Sequence, residues 1–256
     1  MPAADAPHHL SAVLGNALPD LKLSRALPTP REQAVLLSAV VGSRAYGLAT
    51  AGSDTDRRGV FIAGSAIQFS LDGPPPQVVH DDDQLCYWEL GRFVRLCLAA
   101  NPTALETIYS PVVEFAHPAA ADMFAAFRRD GTFLSRRLHG SLGGYAAAQL
   151  KKLRRSFDAG RPVKWSHAMH LLRLLQLGVR LLETGRFDLA VAPDERKDLL
   201  AIKRGEVPWP EIDRRHADLS ARFDAALARS PLPPEPDAAA AEAAMTALYV
   251  AVARQR

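Results

Sequence analysis

The sequence predicts an α+β protein: a half that carries a sheet, then a half built only of helices. Three observations carry this. Short apolar runs bounded by glycine and proline occupy the first 118 residues. From residue 119 onward, apolar residues recur at three- and four-residue spacing over long stretches, the mark of amphipathic helices. No repeat at a solenoid period links the two halves.

The elements follow in order. Residues 1–30 hold five prolines and little periodicity, and read as an irregular leader with at most one short helix. Leu36–Val41 is a buried strand ended by Gly42, after a helical turn from Pro30. Arg44–Ala49 forms one or two helical turns, and Asp54–Ile62 a second strand in which Thr55, Val60, Phe61 and Ile62 are β-formers. Residues 71–76, with three consecutive prolines, form a loop because proline lacks a backbone donor. Gln84–Trp88 is a third strand. Leu90–Ala100 is a helix with Phe93, Val94, Cys97 and Leu98 on one face, stopped by Asn101-Pro102, and Thr103 caps a short helix to Tyr109. Helices are then expected over 119–129, 131–157, 164–184, 193–203, 209–228 and 237–255. Asp237 is the N-cap of the last. The expected organisation is a leader at 1–30, an α/β domain at 31–118, a helical domain at 119–229, a proline-rich linker at 230–236 and a terminal helix at 237–256.

The chain has 256 residues, 48% hydrophobic and 23% charged. Such a composition fits a folded globule with a core large enough to need no disulfide or metal staple. A net charge of +3 is too small to argue for a nucleic-acid partner, so any such argument rests on local clusters. Cys86 and Cys97 form no CxxC pair and cannot alone cage zinc; both are expected as buried thiols in a reducing cytoplasm. The N-terminus lacks the basic start and apolar core of a secretory signal. The most apolar stretch, Leu171–Leu182, is interrupted by Arg173, Gln176 and Arg180. A soluble cytoplasmic protein with no membrane partner is expected.

The stretch from Val40 to Val60 carries the chemistry. Gly42-Ser43 directly after a strand lets the backbone approach a ligand closely, and the following turn offers free N–H groups suited to phosphates. Asp54 and Asp56 stand two apart, which on a strand places both carboxylates on one face. Like charges so placed repel unless a cation lies between them, and Mg2+ favours carboxylate and phosphate oxygens. Two such ions can clamp the attacking and leaving oxygens of a phosphoryl displacement. Ser-Asp-Thr-Asp alone is a common turn sequence, and Gly-Ser alone is commoner still. Their combination after a buried strand is far more specific. No Gly-Lys-Ser/Thr follows, so this is not a Walker A loop, and Gly42, Gly47 and Gly52 lack the spacing of a dinucleotide fingerprint.

Gly42-Ser43, ten intervening residues, then Asp54-Thr55-Asp56 resembles the signature of the DNA polymerase β-like nucleotidyltransferases. The longer Gly-Ser-Arg-Ala-Tyr-Gly-Leu…Ser-Asp-Thr-Asp-Arg-Arg-Gly-Val resembles one branch, the nucleotidyltransferases linked to RNA repair gene neighbourhoods. Glu89–Phe93, Asn101–Glu106, Lys164–Arg173 and Ile202–Glu206 are similar to that branch as well, so the resemblance covers roughly residues 36–212. It implies a small mixed sheet backed by a helical domain. It also implies that Asp54 and Asp56 bind two Mg2+ ions, with Mn2+ as a substitute, and that Gly42 and Ser43 hold the β- and γ-phosphates of a nucleoside triphosphate such as ATP. A third carboxylate on a neighbouring strand would help activate the acceptor hydroxyl. Asp83 and Glu89 both flank the Gln84–Trp88 run; Glu89 is preferred because it opens one of the shared motifs. Asp81 and Asp82 read as solvated loop charges.

Secondary candidates surround this core. Lys164, His167, His170 and Arg173 step by three along a helix, which turns Lys164 and Arg173 to opposite sides. His167 and His170 lack a carboxylate partner for zinc. Lys164, Arg44 and Arg58 are candidate phosphate contacts. Lys151, Lys152, Arg154 and Arg155 form the densest basic cluster: either a solvated helix face or a groove for RNA phosphates. Phe157 and Tyr145 are too few to argue for base readout. Trp88, Trp165 and Trp209 are expected in the core or at a domain junction. The expected function is Mg2+-dependent transfer of a nucleoside monophosphate from a triphosphate to an acceptor hydroxyl, with RNA favoured, releasing pyrophosphate. Two rivals stand beside it: a non-catalytic nucleotide- or RNA-binding module, and a protein-modifying, AMPylating enzyme of antitoxin type. The sequence leaves the oligomeric state open.

Overall fold

The computed structural model describes residues 33–80 and 85–253. The leader expected at 1–30 and the candidate Asp83 lie outside the described residues. Five strands form one mixed sheet: β1 (Gln33–Val41), β2 (Asp56–Ala63), β3 (Gln77–His80), β4 (Leu85–Glu89) and β5 (Val113–Ala116), in the order β3-β4-β2-β1-β5. Only β2 and β4 run parallel; β1 is antiparallel to both β2 and β5, and β3 to β4. The chain is α+β, as expected, with a helical second half.

The run from Ala34 to Val41 becomes a central strand because nearly all of it is apolar, and both its faces are covered. One face of the sheet packs into the main core with the helices; the other carries a small cluster of Val35, Phe61, Val78, Leu85 and Tyr87. Gly59 makes that second face possible. A methyl group there would collide with the Tyr87 ring, which lies across β2 and shares a 2.7 Å hydrogen bond with the Ser38 hydroxyl. β3 and β5 were not expected from sequence. Both are four-residue edge strands, too short for alternation to register.

Ten helices accompany the sheet among the described residues. In the first half these are α1 (Gly42–Ala45), α2 (Ser65–Gln68), α3 (Leu90–Leu98) and α4 (Pro102–Ile108). The second half has α5 (Pro118–Arg129), α6 (Arg137–Asp158), α7 (Trp165–Thr184), α8 (Pro193–Lys203), α9 (Trp209–Ala228) and α10 (Ala238–Ala253). The second-half helices start and end close to their expected positions, except that α6 begins at Arg137 rather than near 131. α4 is capped by Asn101, whose side chain accepts from Ala104 N at 3.1 Å, not by Thr103. Asp237 caps α10 as expected, accepting from Ala240 N at 2.9 Å.

α7 is the axis of the helical half, buried along most of its length from Ala168 to Leu182. Gly178 gives it close contact with α9: a Cβ there would come within 2.6 Å of the Phe223 ring. The proline-rich stretch 230–236 is fastened rather than free. Arg136 donates from its side chain to the carbonyls of Ser230 and Leu232, and from its backbone to Pro233. α10 returns to the first half, where the Tyr249 hydroxyl accepts from Gly91 N at 2.8 Å. No helix among the described residues is long and apolar enough to cross a membrane.

Candidate functional site

β1 delivers the chain to Gly42, which adopts φ +68°, a left-handed conformation that glycine alone enters without penalty. Gly42 has a second reason to lack a side chain. Val41 pairs with Asp56 across β1 and β2, and a Cβ on Gly42 would stand 2.5 Å from Asp56 Oδ2. The glycine and the carboxylate are therefore packed face to face. Asp56 opens β2, whereas Asp54 lies in the preceding loop, outside the strand. The strand-alternation argument for the pair thus starts one residue too early. What holds Asp54 near the turn is Arg44, which donates to the carbonyls of Ser53 at 2.9 Å and Asp54 at 3.3 Å. Arg44 therefore clamps the acidic loop to α1, and two of its N–H groups are occupied in doing so.

Asp54 is exposed and Asp56 half-buried. Among the described residues neither carboxylate accepts a hydrogen bond or joins an ion pair. The basic residues beside them are engaged elsewhere: Arg57 pairs with Glu114 at 2.9 Å, and Arg58 donates to the Arg57 carbonyl at 2.8 Å. Two unneutralised carboxylates beside a close-approach glycine suit hard cations that complete their shell with phosphate oxygens and water. No group of three or more His, Cys, Asp or Glu among the described residues could hold a metal by itself, so any ion here would depend on such outside oxygens.

Glu89 does not join this pair. It lies opposite Phe61 in the parallel β2–β4 register, five residues up the strand from Asp56, or roughly 16 Å at the usual rise. Its side chain is the N-cap of α3, accepting from Arg92 N at 3.1 Å and from the Tyr249 hydroxyl. Glu89 ends β4, whereas the beginning of β4, Leu85 opposite Arg57, lies level with Asp56.

The turn after Ser43 is gripped by the helical half. Tyr46 donates to Glu106 Oε2 at 2.6 Å, Arg173 donates to Glu106 Oε1 at 2.8 Å, and the guanidinium lies 3.5 Å above the Tyr46 ring. Val191 N bonds the Tyr46 carbonyl at 3.0 Å and Arg196 the Gly47 carbonyl at 2.7 Å. Burial pushes the Tyr46 hydroxyl well up, with Arg173 opposing the shift and Glu106 and Asp56 reinforcing it. Burial, then Arg173, then His167 hold His170 down at about 3, so its imidazole is neutral. This network was missed in sequence. Its signal was a carboxylate, Glu106, between the core residues Leu105 and Ile108, and an arginine, Arg173, inside an apolar helix.

The four residues stepping along α7 run from solvent to core: Lys164 and His167 exposed, His170 partly buried, Arg173 1% exposed. The charge of Lys164 acts on His167 at the start of α7. In the basic cluster, Arg154 is engaged by Asp213 at 2.7 Å, while Lys151, Lys152 and Arg155 are exposed. Trp88 and Trp209 are buried; Trp165 is half-buried against Gly205, where φ +76° and the absence of a Cβ let the indole approach. Cys97 is buried, but Cys86 only partly, and both are free thiols.

The sequence model of the family described as RlaP, RNA repair pathway DNA polymerase beta family, matches residues 22–249. The chain belongs to that family. Membership places it among DNA polymerase β-like nucleotidyltransferases linked to RNA repair. The RlaP match extends past the sheet to Tyr249, and so includes the helices that grip the Gly42–Tyr46 turn. No curated protein and no solved structure shows significant similarity to the chain.

Proposed function

We propose that the chain transfers a nucleoside monophosphate from a nucleoside triphosphate to a hydroxyl at an RNA end. The acceptor oxygen forms a bond to the α-phosphorus, the bond from that phosphorus to the bridging oxygen breaks, and pyrophosphate leaves with its electron pair. The observation that carries this reading is the pair of unengaged carboxylates, Asp54 and Asp56, beside a glycine whose missing side chain opens the approach to Asp56.

Asp54 and Asp56 would hold two Mg2+ ions, which when bound neutralise the triphosphate and polarise the reacting oxygens. Gly42 and Ser43 orient the β- and γ-phosphates through backbone N–H groups and the Ser43 hydroxyl. Arg44 keeps the Asp54 loop against the turn. Asp83 is the candidate to assist the acceptor hydroxyl, because Leu85, two residues on, lies beside the Asp56 end of β2. Lys151, Lys152 and Arg155 supply charge for an RNA backbone. Most of the rate gain would come from positioning and charge neutralisation.

The test is incubation of the chain with Mg2+, α-labelled triphosphates and RNA ending in a free hydroxyl. Label in RNA with release of pyrophosphate, lost in D54N and D56N, is expected. Label in protein instead would favour the AMPylating alternative, and triphosphate binding without release would favour the non-catalytic one.

A further inference from the structure

His170 joins two tyrosines that sequence reasoning kept apart. Its ring centroid lies 6.1 Å from that of Tyr46 and 6.1 Å from that of Tyr145. Tyr46 ends the α1 turn and feels the charge of Asp56, so Tyr145 on α6 stands two ring contacts from the acid pair's turn. Tyr145 is nevertheless 49% exposed, and its hydroxyl has no hydrogen-bond partner among the described residues. An aromatic ring left half in water loses much of what its burial would contribute.

The surroundings are open and basic. A Cβ on Gly144 or Gly140 would meet nothing within 4 Å, so the helix surface beside Tyr145 is bare, at glycine positions that weaken a helix interior. Lys152 follows seven residues later, two turns along the same face of α6. Burial first, then the charges of Lys164 and Lys152, lower the affinity of His167 for a proton, so both ammonium groups act on that imidazole. An exposed ring beside a bare helix surface, with cations at one end and a carboxylate-bearing turn at the other, has the features of a base-stacking platform on a phosphate track.

We propose that Tyr145 is a stacking platform for a nucleobase whose phosphates lie against Lys152 and Lys164. The base belongs either to the incoming triphosphate or to the terminal nucleotide of a single-stranded RNA acceptor. The choice of ligand rests on the nucleotidyl-transfer reading; the platform itself rests on the placement of Tyr145, His170 and Lys152.

The test measures Kd for two probes with Mg2+ present: a triphosphate with a methylene bridge between its α- and β-phosphates, and a fluorescent single-stranded RNA ten nucleotides long. Y145A should weaken at least one probe by about tenfold, while Y145F and Y145W, which keep a ring, bind like wild type. Loss for the triphosphate alone assigns the platform to the incoming base, and loss for RNA alone to the acceptor. K152A should weaken the same probe and flatten its salt dependence. Unchanged binding of both probes by Y145A, or binding of neither by the wild-type chain, overturns the proposal. Pyrophosphate release is followed in parallel. A chain that releases none but loses affinity in Y145A keeps the platform and loses the transfer reading; the opposite pattern keeps the transfer reading alone.

Discussion

Arg173 Nη2 donates to Glu106 Oε1 at 2.8 Å, and the two side chains are only 1% and 9% exposed. The Tyr46 hydroxyl takes the other carboxylate oxygen. One buried charge pair therefore joins α7, α4 and the turn that follows Ser43. Among the described residues Arg173 Nε and Nη1 have no hydrogen-bond partner, so the guanidinium depends heavily on Glu106 and on the Tyr46 ring.

Removing one member should leave the other buried and uncompensated. E106A and R173A are each expected to destabilise the fold by about 3–5 kcal/mol, read from urea unfolding. The double replacement E106A/R173A should cost less than the sum of the single changes. Additive effects would show that the two groups do not depend on each other.

D54N and D56N should lower turnover by about 100-fold or more while leaving the melting temperature unchanged. No described residue pairs with either carboxylate, so their loss removes repulsion rather than a contact. A variant that melts well below wild type would mean that these acids support the fold.

G42A carries two penalties. The left-handed backbone at φ +68° costs roughly 1–2 kcal/mol with a side chain present, and the new methyl group displaces Asp56 Oδ2. Turnover should fall further than stability explains. An active G42A enzyme would show that Asp56 need not hold its position.

Glu89 and Asp83 should separate cleanly. E89A loses the α3 N-cap and is expected to cost about 0.5–2 kcal/mol without reducing turnover, whereas D83N should reduce turnover. The reverse result would restore Glu89 as the third carboxylate.

Stability should fall on mild acidification. His170 has a folded pKa of about 3 against the usual 6.5. Between these values the unfolded chain binds a proton that the folded chain does not, so the stability present above pH 6.5 is lost as pH falls. The loss is at most about 1.4 kcal/mol per pH unit for this group. His117, His167 and His216 are shifted down as well, mainly by burial, and add to the slope. H170Q should flatten the stability profile between pH 6.5 and 5; an unaltered slope would show that His170 is not the sensor.

Legibility in the sequence followed length and locality. The helices from α7 to α10 could be read because periodicity over eleven or more residues leaves few alternatives, and Gly42-Ser43 with Asp54 and Asp56 because the motif spans only fifteen residues. β3 and β5 escaped, at four residues each. Glu89 misled because a carboxylate beside a strand looks alike at either end of it, and only the β2–β4 register reveals which end meets Asp56. Arg173 read as a break in an apolar run, since its partner lies 67 residues away.

Local order alone thus determined the α+β division, the glycine–serine turn and the motif that carries the family resemblance, because those depend on neighbours in the chain. Tertiary structure decided the rest: that Glu89 caps a helix, that Glu106 and Arg173 clamp the Tyr46 turn, and that Tyr145 and Tyr46 both meet the His170 ring. Register and burial arise from contacts between distant segments, whose energies no local pattern of residue types records.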